Sequence, residues 1–89
     1  MRQILFATQT TSDELEAGGG LTNGGTIILS AHAGETWTLQ AEAPDGTWIS
    51  TSITFTANGI QSALAFERGI KYRLNGGTVG AKAWISENF

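Results

Sequence analysis

The sequence predicts an all-β fold: a small antiparallel β-sandwich, Ig-like or jelly-roll-like, with seven to eight short strands. Three observations carry that prediction. Apolar and polar residues alternate with period two in several short runs, which marks strands with one buried face. Turn residues recur at roughly 8- to 12-residue intervals, the rhythm of sandwiches and barrels. No stretch of useful length carries the 3.6-residue period of an amphipathic helix.

The strongest element runs from Glu35 to Phe55. Trp37, Leu39, Ala41 and Ala43 alternate with Thr36, Thr38, Gln40 and Glu42. Pro44-Asp45-Gly46 then predicts a turn, because Pro presets φ, Asp bonds its own backbone and Gly supplies positive φ. The chain returns through Trp48, Ile49, Ile53 and Phe55, which places two indoles and a phenyl ring around one hairpin. This hairpin is expected to be the folding centre, with these side chains as the main apolar mass.

The other elements follow in chain order. Gln3 to Ala7 is an apolar run of strand length. Thr8 to Gly25 has no period and holds Asp13, Glu14, Glu16 and clustered glycines. Ser12 offers a cap for one helical turn that nothing sustains. The segment 8–25 is therefore expected to be a flexible loop or arm of a single domain, 1–89, that orders only against a partner. Thr26 to His32 is the next strand, with Ile27, Leu29 and Ala31 on one face. Ala57-Asn58-Gly59 is a hairpin signal, followed by a strand expected to show Ile60, Leu64 and Phe66 on one face. Glu67-Arg68-Gly69 turns the chain into Ile70, Tyr72 and Leu74, which alternate with Lys71 and Arg73. Asn75-Gly76-Gly77 is another hairpin-turn candidate. Thr78 to Ser86 closes the chain, with Val79, Ala81, Ala83 and Ile85 on one face.

Composition narrows the function. A chain of 89 residues buries a modest core, and without cysteine it has no disulfide or thiolate metal site to reinforce it. Oligomerisation or docking on a larger partner is the remaining common route to more burial. Charged residues make up 15%, against about 25% in ordinary domains, so the surface is rich in Thr, Ser, Asn, Gln and Gly and loses little on desolvation. The net charge of −3 argues against nucleic acid, which needs a clustered basic footprint. Lys71 and Arg73 read as a solvated strand face. No apolar run approaches the roughly 20 residues of a membrane span, and the start is too quickly polar for a signal peptide. A protein made or assembled in a cytoplasm is expected.

No catalytic constellation is present. His32 is the single histidine, and with no second His or any Cys it reads as structural rather than as a metal ligand or base. Asp13, Glu14 and Glu16 lack the spacing of a calcium loop. The glycine clusters have no Lys-Ser/Thr after them, so they are no phosphate loop. Ser30, His32 and Asp45 carry no triad signature. No enzyme, cofactor or metal is expected. Trp84 is the more informative residue. It shares a strand face with Lys82 and Ser86, opposite Val79, Ala81, Ala83 and Ile85. If the Ala face is the core, Trp84 points out as an anchor for a partner or a sugar ring; if the Ala face is outward, Trp84 is buried. The partner-binding candidates are the 8–25 segment, with its Leu15 and Leu21, and the face of Trp84 and Lys82.

Three stretches carry a family likeness: Gly34-Glu35-Thr36-Trp37-Thr38-Leu39-Gln40, Asp45-Gly46-Thr47-Trp48, and Gly69-Ile70-Lys71-Tyr72-Arg73-Leu74. Over roughly Gly34 to Ile85 the chain resembles small tailed-phage virion proteins, β-sandwiches of the capsid decoration (cement) type. The resemblance implies a structural virion protein on the head surface that clamps neighbouring subunits of the major capsid protein, as a homo-oligomer on the particle. A small tail or baseplate component is a variant of that reading. A carbohydrate-binding module, resting on Trp37, Trp48 and Trp84, is the alternative from another class.

Overall fold

The computed structural model of the chain describes residues 1–16, 25–30 and 34–86. The described strands are β1 (Arg2–Leu5), β2 (Leu15–Glu16), β3 (Gly25–Ser30), β4 (Trp37–Glu42), β5 (Trp48–Phe55), β6 (Gly59–Leu64), β7 (Lys71–Asn75) and β8 (Lys82–Ile85). Their pairing is nested and antiparallel throughout. β1 pairs with β8, β2 with β7, β3 with β6 and β4 with β5. Additional ladders between β3 and β8 and between β4 and β7 complete two four-stranded sheets, β1-β8-β3-β6 and β2-β7-β4-β5. First with last, second with next to last, and so inward to a central hairpin, is a long ribbon rolled on itself. The expected sandwich is thus a jelly roll in its topology.

Alternation decides what each strand buries. Ile27 and Leu29 of β3, Trp37 and Leu39 of β4, Tyr72 and Leu74 of β7, and Ala83 and Ile85 of β8 all turn inward and are essentially inaccessible. With Ile4, Leu5, Leu15, Phe55, Leu64, Phe66 and Ala81 they form one continuous core. The alanine face of β8 is therefore the buried one. Two small side chains there let the facing sheet approach with its larger residues.

The β4–β5 hairpin closes as its turn chemistry requires. Gly46 N–H donates to the Ala43 carbonyl at 2.9 Å, and Ala43 N–H donates to the Thr47 carbonyl at 2.7 Å. Gly46 sits at φ 89°, where a side chain would be strained. The Asp45 carboxylate accepts from Thr47 N–H at 2.9 Å, and this backbone bond holds its carboxyl below the ordinary value.

The other two hairpin signals serve a different connection. β5 and β6 lie in different sheets, and so do β7 and β8. Ala57-Asn58-Gly59 and Asn75-Gly76-Gly77 are therefore arches across the core. A two-residue Asn-Gly hairpin turn needs positive φ at both residues. Neither Asn58 nor Gly59 has it, and of Gly76 and Gly77 only Gly77 does, at 78°.

Gly76 has another reason to be glycine. Its Cα abuts the Trp37 indole so closely that an added Cβ would overlap the ring. Trp37 is fully buried, and its Nε1–H donates to the Glu35 carboxylate at 2.9 Å. The amides of Gly76 and Gly77 both donate to the Thr10 carbonyl, at 3.2 and 3.1 Å.

That bond corrects the expectation of a free arm over 8–25, as far as residue 16. Thr11 bridges to Asn75, with its hydroxyl 2.8 Å from Asn75 Oδ1. Ser12 is buried; its N–H donates to the Leu74 carbonyl and its Oγ accepts from Leu74 N–H, each at 2.8 Å. Asp13 N–H donates to the Ile4 carbonyl at 2.8 Å, so this stretch also reaches the other sheet. β2 then pairs Leu15 with Tyr72. Residues 17–24 lie outside the described residues, as do His32 and the expected inward Ala31. The docked part had no periodicity to betray it, because a side-chain oxygen replaces one rung of the ladder and the strand is two residues long.

Two irregularities interrupt the ladders of β5 and β6, and the second also breaks the alternation expected for its strand. Between Thr38 and Gln40 of β4, the partner strand β5 advances from Thr54 to Ser50, so Thr51, Ser52 and Ile53 face Leu39 alone. Thr51 Oγ1 donates to the Leu39 carbonyl at 2.8 Å and accepts from Ile53 N–H at 3.2 Å. Nearer the turn, Trp48 pairs with Glu42 on the outer face and is half-buried, while Phe55, beyond the bulge, stays in the core. Ile49 is 55% exposed. In β6, Ala63 takes a left-handed φ of 57°, and the register shifts between Ile27 and Gly25. Leu64 turns inward, but Ile60, expected on its face, is 66% exposed on the outside.

Trp37→Ala is expected to cost about 3–5 kcal/mol, the range for a large buried aromatic. Gly76→Ala should cost at least about 1–3 kcal/mol through overpacking against the same ring. Chemical denaturation checks both. Ser12→Ala leaves the buried Leu74 N–H without its acceptor and should cost about 1–3 kcal/mol, with faster amide exchange at Leu74 as the local readout.

Candidate functional site

The outer face of the β1-β8-β3-β6 sheet is built by the same alternation that fills the core. Because Ala83 and Ile85 point in, Lys82 and Trp84 point out. Trp84 stands opposite Gln3 of β1 on one side and Ile28 of β3 on the other, and Ile28 stands opposite Ile60 of β6. A row Gln3–Trp84–Ile28–Ile60 therefore crosses the whole sheet at right angles to its strands. Trp84 and Ile28 are half-buried, held by their neighbours in the row, and Ile60 is largely exposed. Lys82 pairs with Ser30 one row away and is exposed. Thr26 and Ser86 bound the other side: Ser86 N–H donates to the Thr26 carbonyl at 3.0 Å, and Thr26 N–H donates to Ser86 Oγ at 3.2 Å.

The outer face of the β2-β7-β4-β5 sheet is of another kind. Glu16, Lys71, Arg73, Gln40 and Glu42 lie on it, with Trp48 beside Glu42. The Arg73 guanidinium sits 4.2 Å over the Trp48 ring, and its Nε–H donates to Gln40 Oε1 at 2.8 Å. Such stacking is worth about 0.5–1 kcal/mol at an exposed site. Lys71 Nζ lies 3.7 Å from the Glu14 carboxylate with both side chains about half exposed, so the pair adds little. An open cleft of about 420 Å³ between the β4–β5 turn and the Gly69 turn is lined by Glu42, Pro44, Ile70 and Lys71. Among the described residues no group of three or more His, Cys, Asp or Glu side chains is placed to hold a metal ion.

Of the partner-binding candidates, Trp84 and Lys82 share the outer face that the sequence offered as one of two arrangements. Leu15 is corrected: it is fully buried against β7 and is a core residue, with no surface to offer a partner. Leu21 lies outside the described residues. Sequence reasoning missed Ile28 and Ile60 as companions of Trp84, because it requires the β8-β3-β6 order, which no local pattern encodes. It also misplaced Trp48. Pro44-Asp45-Gly46 as a three-residue loop pairs Ala43 with Thr47, so Trp48 must follow Glu42 to the outside.

No family model, curated protein or solved structure matches this chain.

The three indoles should separate by accessibility. Acrylamide is expected to quench Trp84 and Trp48 and to leave Trp37 dark to the quencher, so Trp37→Phe should raise the quenching slope and Trp84→Phe lower it. Trp84→Ala should cost only about 1–1.5 kcal/mol, in keeping with half burial, as read by urea denaturation.

Proposed function

We propose that this protein is a structural binding protein of a phage particle, a decoration protein that lies on the head surface and fastens neighbouring major capsid subunits. The supporting observation is the difference between the two faces of the sandwich. On the central strands of the β1-β8-β3-β6 sheet the outward residues are Thr26, Ile28, Ser30, Lys82 and Trp84, with one charge among them. The opposite sheet keeps Glu16, Lys71, Arg73 and Glu42 outward. A face with a central indole, aliphatic neighbours and short hydroxyl side chains loses little when dehydrated against protein. The charged face suits water. A sandwich so divided works as an adhesive plate, with its charged sheet turned to solvent.

The action is binding, and no catalytic step is assigned to it. Copies that engage the assembled shell and not the free subunit stabilise the shell by linkage. Small contacts repeated over many sites then resist heat and internal pressure.

The carbohydrate reading has less support. Trp37 is buried, and the Arg73 guanidinium covers Trp48, which leaves Trp84 alone of the three indoles proposed to stack on sugars.

Recombinant protein should bind expanded capsids and not unassembled capsid protein. Trp84→Ala should weaken that binding by about 2 kcal/mol, some 30-fold, as expected of a central interface aromatic. Heads lacking the protein should release DNA at lower temperature. Mass spectrometry of purified particles decides the location: many copies per head support decoration, a handful per particle indicates a tail or baseplate component, and none overturns the reading.

A further inference from the structure

We propose that the side of the sandwich formed by β5 and β6 is a self-association surface, which pairs with the same side of a second copy of this chain. The inference concerns the free protein and stands apart from the particle reading. β5 and β6 are the edge strands of the two sheets, and Thr56–Asn58 joins one directly to the other. Gln61 of β6 also reaches across to donate to the Thr54 carbonyl of β5 at 3.2 Å. The two edges therefore form one continuous side of the molecule. Among the described residues no strand pairs with the outer edge of either. An edge of this kind offers unpaired N–H and C=O groups to another strand, and natural sheets protect it with charge, proline or covering segments.

Here the side-chain protection is missing. From Gly46 to Phe66 the chain holds no Asp, Glu, Lys, Arg or Pro. Ile49 and Ile60, 55% and 66% exposed, stand on these strands. The opposite edges are treated differently: β2 is only two residues long, and Arg2, Glu14 and Glu16 stand at or beside β1 and β2.

Charge selects the occupant. The strands of this side carry no charged residue, and the nearest cation, the Arg73 guanidinium, is already stacked on Trp48 at the start of β5, so an acidic or basic partner finds little to pair with. Two copies of a chain with net charge −3 repel each other, and they approach at least cost where neither presents a charge. A second copy also brings what the edge lacks, a strand with unpaired backbone groups of its own. The bulges at Thr51–Ile53 and at Ala63 interrupt both edges, so the regular runs are short. Pairing of this side with itself about a two-fold axis uses up the free edges. It closes as a dimer and does not propagate into a fibre.

Sedimentation equilibrium at about 0.1 mM, where an interface of micromolar affinity is saturated, should give the mass of two chains. Ile49→Lys and Ile60→Lys should each sediment as one chain while melting cooperatively, since both positions are more than half exposed. Val79→Lys, equally exposed but in the β7–β8 connection, should retain the two-chain mass. A wild-type protein that sediments as a single chain overturns the proposal. So does an unchanged mass in both edge variants, or dissociation caused equally by Val79→Lys.

Discussion

The contact between the Trp37 indole and the backbone of Gly76 joins the three connections on which this fold depends. Trp37 belongs to β4, the inner strand of the central hairpin. Gly76 opens the arch from β7 to β8. The same arch, through the amides of Gly76 and Gly77, donates to the Thr10 carbonyl in the passage between β1 and β2. A side chain at position 76 would lift the arch from the ring and with it the hydrogen bonds to Thr10. The nested pairing of first strand with last and second with seventh is made of contacts distant in sequence. Such contacts must recover the entropy of closing long loops. One large buried ring held by a carboxylate at its N–H edge and a glycine on its face gives them a fixed point.

The parts of this fold legible in the sequence are those decided locally. Trp37 and Leu39 of β4, Ile27 and Leu29 of β3, and Tyr72 and Leu74 of β7 all face inward as period two requires. Pro44-Asp45-Gly46 turns as its residues demand. What failed was parity beyond a bulge. Ile60 and Leu64 are an even number of residues apart and were expected on one face, but the left-handed Ala63 between them sends them to opposite faces. A non-glycine residue in that conformation is disfavoured, so no sequence rule anticipates it. The Asn-Gly pairs failed for another reason. They mark a change of direction, and only the sheet order tells whether the chain returns beside its own strand or crosses the core.

The candidate face was legible by half. Trp84 and Lys82 follow from the alternation of one strand once the Ala face is known to be buried. The extension of that face to Ile28 and Ile60 follows from the pairing of β8 with β3 and of β3 with β6, and those residues are far apart in the chain. Leu15 shows the reverse error. An isolated leucine in an acidic, glycine-rich stretch has no local pattern to declare it core. Only the unsatisfied edge of β7, which Ser12 and Leu15 complete, explains its burial.

The topology itself fixes where the two sides of the molecule fall. When eight strands are nested in pairs, β1 and β2 end on one side of the sandwich and β5 and β6 on the other. The two sides are not equivalent in sequence. The first has short strands with charges about them, and the second has longer strands drawn from a charge-free part of the chain. The outer faces differ in the same sense, one with Trp84 and aliphatic neighbours, the other with stacked and paired charges. A small domain without disulfides gains stability by burying more surface than its own core can supply. The charge-poor face and the charge-free side adjoin at β6, where Ile60 belongs to both. The exposed surface poorest in charge is therefore concentrated on one corner of the molecule, and the charged side chains lie on the remainder.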